Sequence, residues 1–271
     1  MRSSKLRAQK RYVVIVIQSA LPEQVLIDAD EHTYTIYDGY PKAQFHFLVL
    51  PRLPFYCDEV LENGKRKRIQ IPTRELDSIS SVLASRHASF ILECLQRASD
   101  RVRGRLTQLV ARIRKGMRQL VIPPEHPLDC DYAQDGEAAQ GVEWDIRCGF
   151  HSIPSMRHVH LHVGRILTQV VSGELVSERM KHKKVRAWLM QHYLSFHPRV
   201  GYWLPLAEAQ KMASEGVRTL PHPRSYYENL LKGPLLDLDT EQTFKTFPLL
   251  KKHLEQRWVR TVEAQAQELH K

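Results

Sequence analysis

With 271 residues, 42% hydrophobic and 26% charged, the chain has room for one sizeable core and a small appendage, or for two modest domains. The formal net charge of +10 favours an anionic partner, nucleic acid or a membrane surface, and it is segregated: 62–118 holds 14 Lys or Arg against 5 Asp or Glu, whereas 119–142 holds 5 acidic residues and no basic one. Cys57, Cys94, Cys130 and Cys148 form no CxxC pair, which argues against a disulfide scaffold or a cysteine-rich zinc module, and no apolar run makes a signal peptide or approaches the ~18 residues of a membrane span; an intracellular protein is expected, with no membrane partner.

Residues 1–10 read as a basic tail. Tyr12–Gln18 is β-branched and apolar enough for a buried strand, Val25–Asp38 for one or two strands with a turn near Asp30-Glu31, and Phe45–Leu50 for a strand closed by Pro51. The run Lys65-Arg66-Lys67-Arg68 sits in a basic loop around Gly64, and serves equally as a nuclear import signal or as a solvated charged loop. Arg74–Met117 reads as helix broken near Arg86-His87, with Ile91, Leu95, Ala98, Val102 and Leu106 forming an apolar stripe. Beside it runs a stripe of Arg97, Arg101, Arg105 and Arg112, either a solvated flank or a surface for phosphates. After the acidic loop, Glu143–Cys148 and His158–Val163 look like strands, and helices are expected around Leu206–Glu215 and Leu249–Glu268, with a linker at Pro221 and Pro223. The order predicts an α+β fold: an antiparallel sheet with helices and one long helical insertion.

The densest chemistry lies at His158-Val159-His160-Leu161-His162-Val163. On a strand, alternate side chains share a face, so three imidazoles project together, about 7 Å apart, while Val159, Leu161 and Val163 enter the core. Such a face could hold zinc, though no nearby Cys or carboxylate supplies a further ligand. The geometry better suits a nucleophilic imidazole among others that orient it and donate to phosphate oxygens. Three core histidines with no chemistry are the third reading.

The alternation is the signature of the histidine-triad superfamily, and its extension Gly149-Phe150-His151-Ser152-Ile153-Pro154-Ser155-Met156 resembles the aprataxin family in particular. A second block, Tyr37-Asp38-Gly39-Tyr40-Pro41-Lys42 through His46 to Arg52, is similar to that family's first motif. The resemblance implies a DNA 5′-adenylate hydrolase in single-strand break repair, with DNA carrying an adenylated 5′ end as substrate, AMP as product, repair proteins as further partners and the nucleus as its location. It implies that His160 attacks the adenylate phosphorus, that His151 protonates the leaving phosphate, and that His158 and His162 orient the nucleophile and bind phosphate. Ser155 would donate to the same phosphate, and Asp38 would accept from the ribose. Lys42 and His46 would support the pocket or contact nucleic acid; their plainer readings are a surface lysine and a structural histidine. Asp38 could instead cap a turn. Lys65, Arg66, Lys67, Arg68, Lys181, Lys183 and Lys184 would contact DNA.

On this resemblance 11–200 is a catalytic domain with an insertion over 57–142, and 201–271 a finger-like DNA-binding region. Catalysis needs no cofactor, but the family's finger carries zinc on two cysteines, a histidine and a second histidine or glutamate. Here Thr243–Glu255 resembles the helical half and His253 matches one ligand, whereas Asp237 and Thr240 stand at the cysteine positions and Arg257 at the fourth. A single imidazole cannot hold zinc, so zinc is not expected despite the family pattern. Packing of Phe244, Phe247, Leu250 and Trp258 would keep the finger's shape. Two pieces, Gly164–Glu174 and Val185–Gln191, look inserted after the triad. The alternatives to a DNA-end hydrolase are a hydrolase of small nucleotide phosphoramidates or dinucleoside polyphosphates, and a catalytically impaired DNA-binding protein.

Overall fold

The computed structural model describes residues 26–38, 46–105, 146–164 and 193–246, the backbone of 106–114, and, beyond 246, residues 248–250, 252–254, 256, 257, 260, 264 and 267. The expected strand at Tyr12–Gln18, Lys42, the acidic loop, the two inserted pieces apart from Gly164, Lys181, Lys183 and Lys184 lie outside them.

Among the described residues a six-stranded antiparallel sheet forms the frame. Its strands are β1 (Leu26–Ala29), β2 (Thr33–Tyr37), β3 (His46–Pro51), β6 (Arg147–His151), β7 (Leu161–Gly164) and β8 (Trp203–Pro205), in the order β1-β2-β3-β7-β6-β8. The β1–β2 turn falls where the sequence predicts it, because Asp30 Oδ1 accepts from the backbone N–H of His32 at 2.8 Å and of Thr33 at 2.6 Å. The fold is α+β, as expected. The strand β8, too short to show a period, has no sequence signal, yet it closes the sheet by pairing His151 with Trp203.

The predicted helix over Arg74–Met117 is in three pieces: a 3-10 turn (Thr73–Leu76), α1 (Ile79–Ala84) and α2 (Ala88–Arg114). Ser78 caps α1 by accepting from Ser81 N at 3.1 Å. The apolar stripe of α2, including Ile91, Leu95, Ala98 and Val102, is fully buried against Phe47, Val49, Leu161 and Val163 of the sheet. Burial of that stripe, rather than helix propensity, holds α2 in place.

One expectation is corrected and two others gain detail. The basic run is not a loop: Arg66–Ile71 is β5, paired with β4 (Phe55–Val60) so that Lys67 faces Glu59 and Arg68 faces Asp58. Alternation of Ile69 and Ile71 onto the core, with a tight turn at Gly64 (φ 75°), makes a hairpin where charge density alone suggested a loop. Two members of the arginine stripe are engaged by protein. Arg101 donates to Asp28 and Asp30 at 2.7 Å each, and Arg105 to Asp28 at 3.1 Å and to the Ile27 carbonyl at 3.1 Å, which ties α2 to β1. Pro221 and Pro223 lie in a segment, 217–223, without helix or strand, and Pro223 stands at the N-cap of helix α4 (Arg224–Leu230), whose Tyr227 is buried. The helix α3 (Leu206–Ser214) lies where expected and buries Leu206, Ala209, Met212 and Ala213.

Candidate active site

The sequence places His158, His160 and His162 on one strand; the structure sets only His162 within β7, with His158 and His160 leading into it. The reason is local. Val159 N–H donates to the Leu76 carbonyl at 2.6 Å instead of joining the sheet ladder, although Val159, Leu161 and Val163 all enter the core as expected. The rings of His160 and His162 consequently stand 4.8 Å apart between centroids, closer than an ideal strand allows.

All of these imidazoles are buried, as are His46, His151 and Asp38. His160 Nδ1 lies 2.8 Å from the His158 carbonyl oxygen. A carbonyl only accepts, so Nδ1 carries the hydrogen and Nε2 holds the lone pair, the tautomer a nucleophile requires. His158 thus orients His160 with its main chain. Its own ring donates from Nε2 to the Pro51 carbonyl at 3.0 Å, anchoring the approach strand to the end of β3. Burial pushes the His158 imidazole below its ordinary range, against the opposing pull of that hydrogen bond and of Asp77, and favours the neutral ring.

A second set of contacts forms a relay. His46 Nδ1 donates to Asp38 Oδ2 at 3.1 Å, and His46 Nε2 shares a hydrogen with His162 Nδ1 at 2.8 Å. Asp38, His46 and His162 bring ligand-type atoms within 4.8 Å of one another. They do not converge on one centre, because His46 turns opposite nitrogens to its two neighbours; the arrangement suits proton movement rather than a tetrahedral ion. His46 is thereby hydrogen-bonded through both ring nitrogens to side chains, Asp38 on one and His162 on the other. Asp38 meets His46 here.

His151, at the end of β6, packs 4.3 Å from the His162 ring. The wall behind it is aromatic. Phe196, from a helical segment over 193–196, lies 4.5 Å from His151, 5.1 Å from His162 and 5.2 Å from His46, and Trp203 stands 5.9 Å from both His151 and His162. Tyr202 adds an edge contact with His151 at 5.5 Å, and its carbonyl receives Ser152 N–H at 3.0 Å and Ser152 Oγ–H at 2.9 Å. The sequence reading misses Phe196, Tyr202 and Trp203 as site residues. Their one signal is the clustering of aromatics between Tyr193 and Trp203. Ser155 is exposed on the loop from β6 to His158, which walls a cavity of about 660 Å³ also lined by Arg157, Arg218 and Arg224. Lys65, Arg66, Lys67 and Arg68 are exposed along the β4–β5 hairpin, Arg68 with its guanidinium 4.5 Å over the Tyr56 ring.

The chain is 28% identical to aprataxin of Gallus gallus over 238 residues, which is 88% of the chain and 52% of the relative, and 27% identical to aprataxin of Danio rerio over 227 residues, 83% of the chain and 47% of the relative. It is 33% identical over 116 residues to an aprataxin-like protein of Drosophila melanogaster, 42% of the chain and 15% of the relative. By sequence, the chain is similar to aprataxins. It spans about half the length of the Gallus gallus and Danio rerio relatives it matches. Among solved structures, the aprataxin ortholog Hnt3 from Schizosaccharomyces pombe is 17% identical with a TM-score of 0.49, covering 89% of this chain and 88% of that one, and Hnt3 in complex with DNA and guanosine is 18% identical with a TM-score of 0.49, covering 94% and 97%.

The family described as C2HE / C2H2 / C2HC zinc-binding finger matches residues 199–260 of the chain. In that region the structure brings His253, Asp237, Thr240 and Arg257 together. His253 Nε2 donates to Asp237 Oδ2 at 2.8 Å, and Arg257 Nη1 lies 2.8 Å from each oxygen of the same carboxylate. Phe244 packs against Tyr193, Leu194, Leu250 and Leu254, part of the packing expected to keep the finger's shape; Phe247 and Trp258 lie outside the described side chains.

Proposed function

We propose that the chain is a hydrolase that removes AMP from adenylated 5′ ends of DNA, acting in break repair in the nucleus. The observation that carries this reading is the His160 tautomer: a buried imidazole with its Nδ1–H fixed on the His158 carbonyl, so that Nε2 has the lone pair, beside a relayed second imidazole and a third on an adjacent strand. Likeness to aprataxins points to an adenylate rather than another phosphoryl substrate. The basic hairpin and the net charge of +10 suit a polyanion gripped through its phosphates, with no demand on sequence.

In this reading His160 Nε2 attacks the adenylate phosphorus. The bond from that phosphorus to the oxygen bridging to the DNA 5′-phosphate breaks, and His151 supplies the proton that the departing phosphate takes up. Water then attacks the histidine-bound phosphorus, His151 takes a proton from it, and the phosphorus–nitrogen bond breaks to release AMP. His162 donates to a non-bridging oxygen when the relay proton sits on its Nε2, an arrangement reached by moving hydrogens along Asp38, His46 and His162. Ser155 and Lys42 would add phosphate contacts, and Asp38 would meet the ribose as well as His46. Neutrality of His158 keeps a second positive charge away from the nucleophile.

An adenylated nicked duplex labelled in the AMP tests the proposal. The wild-type chain should release AMP, and His160→Ala should lose more than about 10³-fold in rate while melting at the wild-type temperature. Undiminished release from the variant would refute the mechanism. Turnover of small adenylates with none of the nicked duplex would refute the DNA-end substrate.

A further inference from the structure

The segment 235–244 forms a knuckle: Leu236 bridges to Thr243, Asp237 N–H donates to the Gln242 carbonyl at 2.9 Å, and Phe244 N–H to the Leu235 carbonyl at 2.8 Å, around Glu241 at φ 59°. Helical residues 253 and 257 lie across from it. The spacing Asp237-x2-Thr240-x12-His253-x3-Arg257 is that of a two-plus-two zinc finger, and all four positions meet in space. Of the four, His253 and Asp237 carry donor atoms that zinc accepts, whereas Thr240 and Arg257 stand where two further ligands would be needed.

The residues present do not fit the metal. Asp237 is fully buried and its oxygens are engaged by Arg257 Nη1, His253 Nε2, Thr240 Oγ1 at 2.9 Å and Asp239 N–H at 3.0 Å. Arg257 reaches past it with Nη2 to Asp239 Oδ2 at 2.8 Å. A guanidinium has five donors and no lone pair to offer a cation. Among the described residues, no third Cys, His, Asp or Glu joins Asp237 and His253 in a ligand-like cluster.

We propose that this finger is held without zinc, by an Asp237–Arg257 ion pair that takes over the metal's cross-link between knuckle and helix. The chemical logic is an inversion of charge. In a zinc finger a central cation draws in anionic or neutral donors from both halves. Here the central group is the Asp237 carboxylate, supplied by the knuckle itself, and the cationic or neutral donors are Arg257 and His253 from the helix with Thr240 from the knuckle. A carboxylate receiving five hydrogen bonds from four residues inside a closed shell is a cross-link of fixed geometry. It forms with no metal to acquire, and a chelator cannot remove it.

The full-length chain tests this irrespective of any hydrolytic activity. Purified protein incubated with one equivalent of zinc and desalted should carry far less than one zinc per chain by elemental analysis, and its melting temperature should not change with EDTA. Arg257→Met should lower the melting temperature, and the triple change Asp237→Cys, Thr240→Cys and Arg257→His should bind one zinc per chain and melt lower when EDTA is added. Stoichiometric zinc in the wild-type chain with an EDTA-dependent fall in melting temperature would overturn the proposal. So would an Arg257→Met protein as stable as the wild type.

Discussion

Gly149→Ala offers the sharpest test of the aromatic wall. A Cβ built at Gly149 falls 2.5 Å from Trp203 Cε2, 2.6 Å from its Cζ2 and 2.6 Å from the Leu204 carbonyl oxygen. Ordinary contact begins at 3.4 Å, so something must retreat by about 0.9 Å. Neither neighbour yields easily. The Leu204 carbonyl belongs to β8, which pairs with β6 at this level, and the Trp203 ring is confined by Phe196 at 5.2 Å and by two imidazoles. Overpacking of a closed site costs about 1–3 kcal/mol, and the upper half of that range applies because backbone is involved. For a chain of this size that corresponds to a fall of about 4–12 °C in melting temperature. Release of AMP should fall as well, since Trp203 cannot move without disturbing His151 and His162. Thermal unfolding by circular dichroism, alongside the nicked-duplex assay, measures both. A Gly149→Ala protein that melts within about 1 °C of wild type and turns over normally would show that this wall is not packed as described.

Further outcomes follow from other parts of the molecule. Asp38→Asn, which keeps the shape of the relay but removes its charge, should lower kcat on the adenylated duplex by about 10²-fold with a much smaller change in KM. Arg101→Ala, losing two carboxylate partners at a half-exposed site, should destabilise the fold by about 1–2 kcal/mol in urea unfolding yet leave the salt dependence of DNA binding unchanged. By comparison, Lys65→Ala with Arg66→Ala on the hairpin should flatten that salt dependence by about one unit of slope for each phosphate no longer neutralised. Burial lowers the affinity of both His158 and His197 for protons, so the unfolded chain binds more of them; stability should be fully present above pH 6.5 and fall as pH drops below it towards the folded values, a limb that His158→Gln should flatten in pH-dependent unfolding.

The features legible in sequence were those with a repeating physical pattern. The apolar stripe of α2, the Asp30 turn between β1 and β2 and the alternation of Val159, Leu161 and Val163 each follow from one local rule, and each stands in the structure. The identity of the histidine block was equally local. Its geometry was not, because the Leu76 carbonyl that withdraws Val159 from the ladder is more than eighty residues away. The same holds for Arg101 and Arg105: their spacing marked a helix face, and only the return of Asp28 beside them, seventy-odd residues earlier, decided that the face binds protein. The aromatic wall was hidden for a third reason, since hydrophobicity cannot distinguish a ring that fills a core from one that shapes a reactive cavity. At Asp237 the spacing was readable, but the cross-link required knowing that a carboxylate and a guanidinium meet there.

Phe196 is one turn from Tyr193 and Leu194, which pack with Leu250 and Leu254 of the finger helix, while its own ring closes over three imidazoles. A shortened protein lacking the finger would therefore lose the support beneath its histidine cluster. Failure of such a truncation to turn over would say nothing about grip on the substrate, and the two contributions can be separated only by point changes that leave that shared core intact.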